Sequence, residues 1–223
     1  MPRKAPFYKA ADPGFNWTGW YGGGFAGYGW GRVSNTELSN APNAQYIGLG
    51  DSWGGDTGGF VGGATLGFNY QVSNWVWGIE GDFGYLGIDG TNPRASFLGT
   101  TPVIDTRDSW FGTARARLGL AADRTLFFVT GGAAFADLKT RVRSISGVPL
   151  MTDTVGTTAG WTVGGGIEHA FDNRWSVKLE YLYLDFGSDQ VRDSTTQAFV
   201  QPRSVETKDH IVRFGLNYRF GSR

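Results

Sequence analysis

The feature that most constrains this chain is a dyad alternation of bulky apolar residues with small or polar ones, recurring along most of its length. Period two belongs to a β-strand whose two faces meet different surroundings. In residues 174–187, Trp175, Val177, Leu179, Tyr181 and Tyr183 share one face, and Ser176, Lys178 and Glu180 share the other. In 75–87, Trp75, Trp77, Ile79, Phe83 and Tyr85 oppose Gly78, Glu80, Asp82 and Gly84. In 209–220, Val212, Phe214, Leu216, Tyr218 and Phe220 oppose Arg213, Asn217 and Arg219. The stretches 17–31, 58–70, 108–121, 125–139 and 159–171 follow the rule less cleanly, and in 17–31 glycines on both parities leave the faces open. Eight strands of roughly 10 to 14 residues result, near the length that crosses a bilayer at a tilt.

Composition removes the competitors. The chain has 36 glycines in 223 residues, and interior glycine costs a helix about 1 kcal/mol relative to alanine. No run of about 18 apolar residues is present, so no membrane-spanning helix is available. The absence of cysteine excludes disulfides, thiolate metal sites and cysteine nucleophiles. Twenty basic residues balance 20 acidic ones, so no net charge draws the chain to nucleic acid.

Connections alternate in length. Gln71–Asn74, Ala122–Arg124 and Asp172-Asn173 are tight turns, whereas 33–57, 89–107, 140–158 and 188–208 are long and polar. All short turns therefore fall at one end and all long loops at the other. The expected fold is all-β: an eight-stranded antiparallel up-and-down barrel, with the last strand closing on the first. Volume orients its faces. The interior of such a barrel is just wide enough for side chains to fill. About a dozen aromatic rings, each burying roughly 150–250 Å², would overfill it, whereas the Gly, Ala, Ser, Thr and charged parity fits. The rings therefore face lipid, and the barrel is transmembrane. Tyr70, Trp75, Trp77, Phe171, Trp175 and Tyr218 lie beside the short turns, while Tyr85, Trp110, Trp161 and Tyr183 lie towards the long loops. Two aromatic girdles around an apolar band suit the two headgroup levels of a bilayer.

The inward parity carries Glu80, Asp82, Glu168 and Glu180 together with Arg115, Arg117, Lys178, Arg213 and Arg219. Unpaired buried charge costs several kcal/mol, so these residues are expected to form a salt-bridge network that plugs the lumen, with Arg115 and Arg117 pairing Glu80 and Glu168. The glycine triplets Gly22-Gly23-Gly24 and Gly164-Gly165-Gly166 lie inside strands with no following helix, so they are not phosphate loops; glycine there relieves crowding in a tightly curved sheet.

Particular motifs carry a family resemblance. They are WTGWYGG (17–23), AGYGWG (26–31), GIEGD (78–82), TARARLG (113–119), GGAA (131–134), GWTVGGGIE (160–168), KLEYLY (178–183) and the closing VRFGLNYRF (212–220). With them the chain resembles the small outer-membrane β-barrel family of alphaproteobacteria, an OmpA-like, opacity-type porin family that includes abundant surface proteins of rhizobia, brucellae and bartonellae. One departure is the tail after Phe220, since such chains usually end at the aromatic. The resemblance implies an outer-membrane protein with extracellular loops, periplasmic termini and a structural, envelope-supporting surface role in contact with lipopolysaccharide. It also implies that Tyr218 and Phe220 form the signal read by the barrel-assembly machinery. A narrow porin for small solutes is the transport alternative. Some family members bind haem, which brings His210 and His169 into consideration, although a lone histidine is ordinarily structural; no cofactor or metal is expected. Lipid A deacylases of this shape place His and Ser two apart on a strand. His169-Ala170-Phe171 and Asp209-His210-Ile211-Val212 hold no serine, so no catalysis is expected. Glycine and alanine strips on 108–121 and 125–139 would allow a homo-oligomer. Residues 1–16 are expected to be a flexible periplasmic stub without a secretory h-region, 17–220 the barrel, and 221–223 an added tail.

Overall fold

The computed structural model describes residues 15–37, 52–93, 102–144, 149–191 and 203–220. Eight strands follow one another: β1 (Gly19–Glu37), β2 (Ser52–Val72), β3 (Trp75–Pro93), β4 (Pro102–Ala122), β5 (Thr125–Ser144), β6 (Pro149–Ala170), β7 (Trp175–Val191) and β8 (Arg203–Arg219). Each pairs antiparallel with the next, and β8 pairs with β1, so the sheet is a closed barrel. Closure leaves no open edge, which lipid could not satisfy. No helix among the described residues is long and apolar enough to cross a membrane, a statement that does not bear on strands.

The register fixes the tilt. Pairing followed from Gly31 runs through Asp209, Leu184, Thr162, Gly132, Arg115, Glu80 and Gly67, and returns to β1 at Tyr21. That stagger of ten positions in one circuit makes the strands lean about 40° from the axis. Two short connections turn through left-handed residues, Ser73 (φ 55°) and Asp123 (φ 53°), as tight hairpins with the strands' twist require.

The strands, at 17 to 22 residues, outrun the expected 10 to 14. They extend into the stretches expected as loops, where 33–37, 52–57, 89–93 and 102–107 are paired strand. Backbone pairing satisfies N–H and C=O groups whatever the side chains, so the strands continue after the apolar alternation has ended. The two parities of β1 also separate. Tyr21 and Phe25 are buried in the lumen, while Trp20, Tyr28 and Trp30 stand exposed.

Inside, the glycine-rich positions let strands press together. A Cβ at Gly164 would collide with the carbonyl oxygen of Tyr181, and one at Gly166 with that of Leu179, both on the neighbouring β7. The volume so freed is not left empty. It holds more apolar bulk than the expected mixture of small residues and charges: Phe25, Phe111, Phe128 and Phe186 all point inward.

Candidate functional site

Alternation along each strand sorts side chains into an outer belt and a filled lumen. The lumen is layered. At its centre four acids meet four bases. Arg115 donates to Glu80, to Asp82 (2.7 Å) and to Glu180 (2.7 Å). Arg213 reaches Asp82 (2.9 Å) and Glu180 (2.6 Å). Lys178 bridges Glu80 (2.8 Å) and Glu180 (3.4 Å), and Arg117 pairs with Glu168. Neutral donors complete the shell around the acids. Tyr21 Oη donates to Glu80 (2.6 Å) and Thr113 Oγ1 to Asp82 (2.7 Å); Ser176 Oγ (2.6 Å) and Asn217 Nδ2 (2.9 Å) donate to Glu168. A carboxylate this deep is tolerable only with several such partners.

Of the nine charged residues assigned to the lumen, the structure gathers Glu80, Asp82, Arg115, Arg117, Glu168, Lys178, Glu180 and Arg213 into this layer. Arg219 stands apart and turns to the backbone carbonyls of Asn16 and Thr18.

Apolar layers lie on both sides. Towards the long loops, Phe25, Val61, Leu86, Phe111, Leu182, Leu184, Phe186 and Ile211 pack with Ala134 and Ala136. Towards the short turns, Val76, Ala121, Leu126, Phe128 and Ala170 pack around Trp17. The two boundaries of the ionic layer carry cation–π contacts: the Arg213 guanidinium lies 4.4 Å from the Phe25 ring and that of Arg117 3.8 Å from Phe128. Trp17 corks the short-turn mouth. Its backbone N–H donates to Gln71 Oε1 (2.7 Å), its indole N–H donates to the Asp123 carbonyl (3.3 Å), and Phe15 stacks edge-on against it at 4.9 Å. Sequence reasoning placed Trp17 in the first strand, 17–31, and so missed this cork, which precedes β1. It also missed Tyr21, whose inward parity the β1 glycines obscured.

The outer face carries the aromatic rings. Tyr70, Trp75, Trp77 and Phe171 stand exposed beside the short turns, with Trp175 edge-on to Tyr218 at 5.0 Å, which in turn meets Phe220 at 5.5 Å. Tyr85 and Trp161 stand exposed at the other end, where Trp161 packs on Tyr183 (5.4 Å) and Trp110 on Phe83 (5.9 Å). Between the rings lie apolar side chains such as Ile79 and Phe83, 62 and 66 % exposed. Trp75 and Tyr85 lie ten residues apart on β3. At about 3.3 Å per residue and a tilt near 40°, that spans about 25 Å along the barrel axis, the height of a membrane barrel's apolar band. The two histidines also face outwards, at opposite ends. His169 bonds Thr125 Oγ1 (3.0 Å), and His210 bonds Tyr181 Oη (2.7 Å) and stacks on Trp30. The structure does not bring them together.

A family model described as "Outer membrane protein beta-barrel domain" matches residues 8–220. The chain belongs to that family. It is an outer-membrane β-barrel. The barrel is 37 % identical over 211 residues to the 31 kDa outer-membrane immunogenic protein of Brucella melitensis, covering 92 % of this chain and 85 % of that one. It is 29 % identical over 208 residues to the 22 kDa outer membrane protein of Rhizobium leguminosarum bv. viciae, covering 93 % and 80 % respectively. Among solved structures, the outer membrane protein OprG from Pseudomonas aeruginosa superposes with a TM-score of 0.52 at 11 % identity, over 92 % of this chain and 98 % of that one. That last likeness concerns the fold alone.

Proposed function

We propose that this outer-membrane barrel is a closed, non-conducting surface protein that supports the envelope. Its long loops face the exterior, its termini face the periplasm, and it carries out no chemistry. The observation that supports this reading is the filled lumen. An ionic layer with interlocked partners lies between two apolar layers, and Trp17 occupies the short-turn mouth. Eight strands leave little free cross-section even when lined by small residues; here phenylalanines and leucines fill it. In this reading the band between the girdles lies at the depth of the acyl chains, and the upper rings meet lipopolysaccharide headgroups. Tyr218 and Phe220, at the end of β8, serve in this reading as the aromatic terminus that the barrel-assembly machinery recognises.

Planar-bilayer recording on the purified, folded barrel tests the reading. Silent membranes at protein loads that give clear channels with a known porin are expected. Steady, ion-selective openings would favour the narrow porin instead. Protease access to a tag inserted within residues 192–202 on intact cells tests the orientation: cleavage is expected, and protection of the tag would reverse it.

A further inference from the structure

Beyond the ionic layer, the buried carboxylate of Asp209 has no counter-charge among the described residues. We propose that Asp209 and Thr57 form a binding site for a single alkali-metal cation at the long-loop end of the lumen.

The site is set by register. Gly31 on β1 pairs with Thr57 of β2 on one side and with Asp209 of β8 on the other, and both side chains point inward. The missing Cβ of Gly31 gives the carboxylate its place, since a methyl group there would collide with Asp209 Oδ1. Asp209 is 1 % exposed and Thr57 7 %. Asp209 Oδ2 and Thr57 Oγ1 are both buried and neither has a hydrogen-bond partner. Thr207, the next inward residue along β8, is buried too and adds a further hydroxyl to the same mouth.

Among the described residues no base pairs with this carboxylate. Lys208 points outward to Glu206, and Arg213 is committed to Asp82 and Glu180. Asp209 is paired in register with Leu184 and followed inward by Ile211, both members of the apolar layer that separates it from the charges below. An ionised carboxylate in such surroundings needs a partner or a ligand. The donors available are all hard oxygens, which select alkali or alkaline-earth ions over transition metals. One carboxylate carries one negative charge, and no cluster of three His, Asp or Glu is found among the described residues. A calcium site usually gathers more negative charge than this, so a single carboxylate matches a monovalent cation.

Thermal unfolding of the detergent-folded barrel in NaCl, KCl and choline chloride at equal ionic strength tests this. The wild type is expected to melt a few degrees higher, and saturably, in sodium or potassium than in choline, and Asp209→Asn is expected to abolish the difference. Because that variant could fold poorly, ²³Na relaxation provides a second measurement: the wild type should broaden the sodium line, and Thr57→Val should reduce the broadening. Equal melting of the wild type in all three salts, a salt preference that survives Asp209→Asn, or an unbroadened sodium line would each overturn the proposal. The first of these is also the behaviour of a carboxyl that is simply protonated.

Discussion

Replacing Arg115 by methionine keeps most of the side chain's volume and deletes its charge from the centre of the ionic layer. Arg115, like Arg213, reaches Glu80, Asp82 and Glu180 together, and it also donates to Thr113 (3.1 Å) and Thr130 (3.2 Å). The wild-type layer is neutral, four acids against four bases; the variant leaves it one charge negative. Removing one partner of a buried ion pair costs about 3–5 kcal/mol, mostly through the charge left behind. Lys178 and Arg213 still touch all three carboxylates, which places the expected loss near the lower end, about 3 kcal/mol. A second substitution separates charge from packing. Asp82→Asn added to Arg115→Met restores neutrality and leaves three pairs, Arg213 with Glu180, Lys178 with Glu80 and Arg117 with Glu168. The double variant should therefore be more stable than the sum of the single losses by about 1–3 kcal/mol, the usual coupling between residues in one network. Urea unfolding in detergent micelles, followed by tryptophan fluorescence at constant m, reads both quantities. A loss below about 1 kcal/mol for Arg115→Met, or strict additivity in the double variant, would refute the idea that the layer is held by mutual neutralisation.

Three further outcomes follow from the geometry. Trp17→Ala removes a fully buried ring from the short-turn mouth and should cost about 3 kcal/mol in the same urea assay, while increasing amide exchange in β3 and β4 beside it. Gly164→Ala forces a methyl group against the Tyr181 carbonyl and should cost about 1–3 kcal/mol, whereas Gly81→Ala, whose nearest neighbour would be 3.7 Å away, should be close to neutral. Asp172 in the β6–β7 turn accepts from the backbone N–H groups of Arg174 and Trp175 (both 2.6 Å), and these bonds hold its carboxyl below the ordinary aspartate range. A carboxyl lowered on folding stabilises the fold above its unfolded pKa, and that contribution is lost as pH falls through the lowered value. Melting curves from neutral pH into acid should thus show a smaller drop in Asp172→Asn than in wild type.

Much of this was legible in the residues because membrane and lumen impose opposite demands on alternate positions. Wherever a strand crosses lipid, as in 75–87 or 174–187, the large rings mark one face and the other follows. Legibility failed where that contrast is absent. In β1, glycines on both parities hid the inward aim of Tyr21 and Phe25. Beyond the upper girdle the alternation of bulky and small residues ends in the sequence, and the paired stretches at 33–37 and 102–107 read as loops. The upper apolar layer was also missed, since Val61, Leu86, Leu182 and Ile211 are ordinary strand residues whose inward aim depends on register. The charged positions were easier, because an acid or base inside a strand of lipid-facing rings has only the lumen to occupy. Asp209 shares the parity of Arg213, but only the structure separates it from that layer by apolar side chains.

The direction in which the two faces look is most directly measured by a nitroxide scan. The chain contains no cysteine, so single cysteines can be introduced and labelled one at a time from residue 76 to 86 on β3 in lipid vesicles. Labels at 77, 79, 81, 83 and 85 are expected to be relaxed strongly by oxygen, which concentrates in acyl chains, and labels at 76, 78, 80, 82 and 84 weakly. The opposite phase, or no alternation at all, would contradict a barrel that turns its rings to lipid and its charges inward.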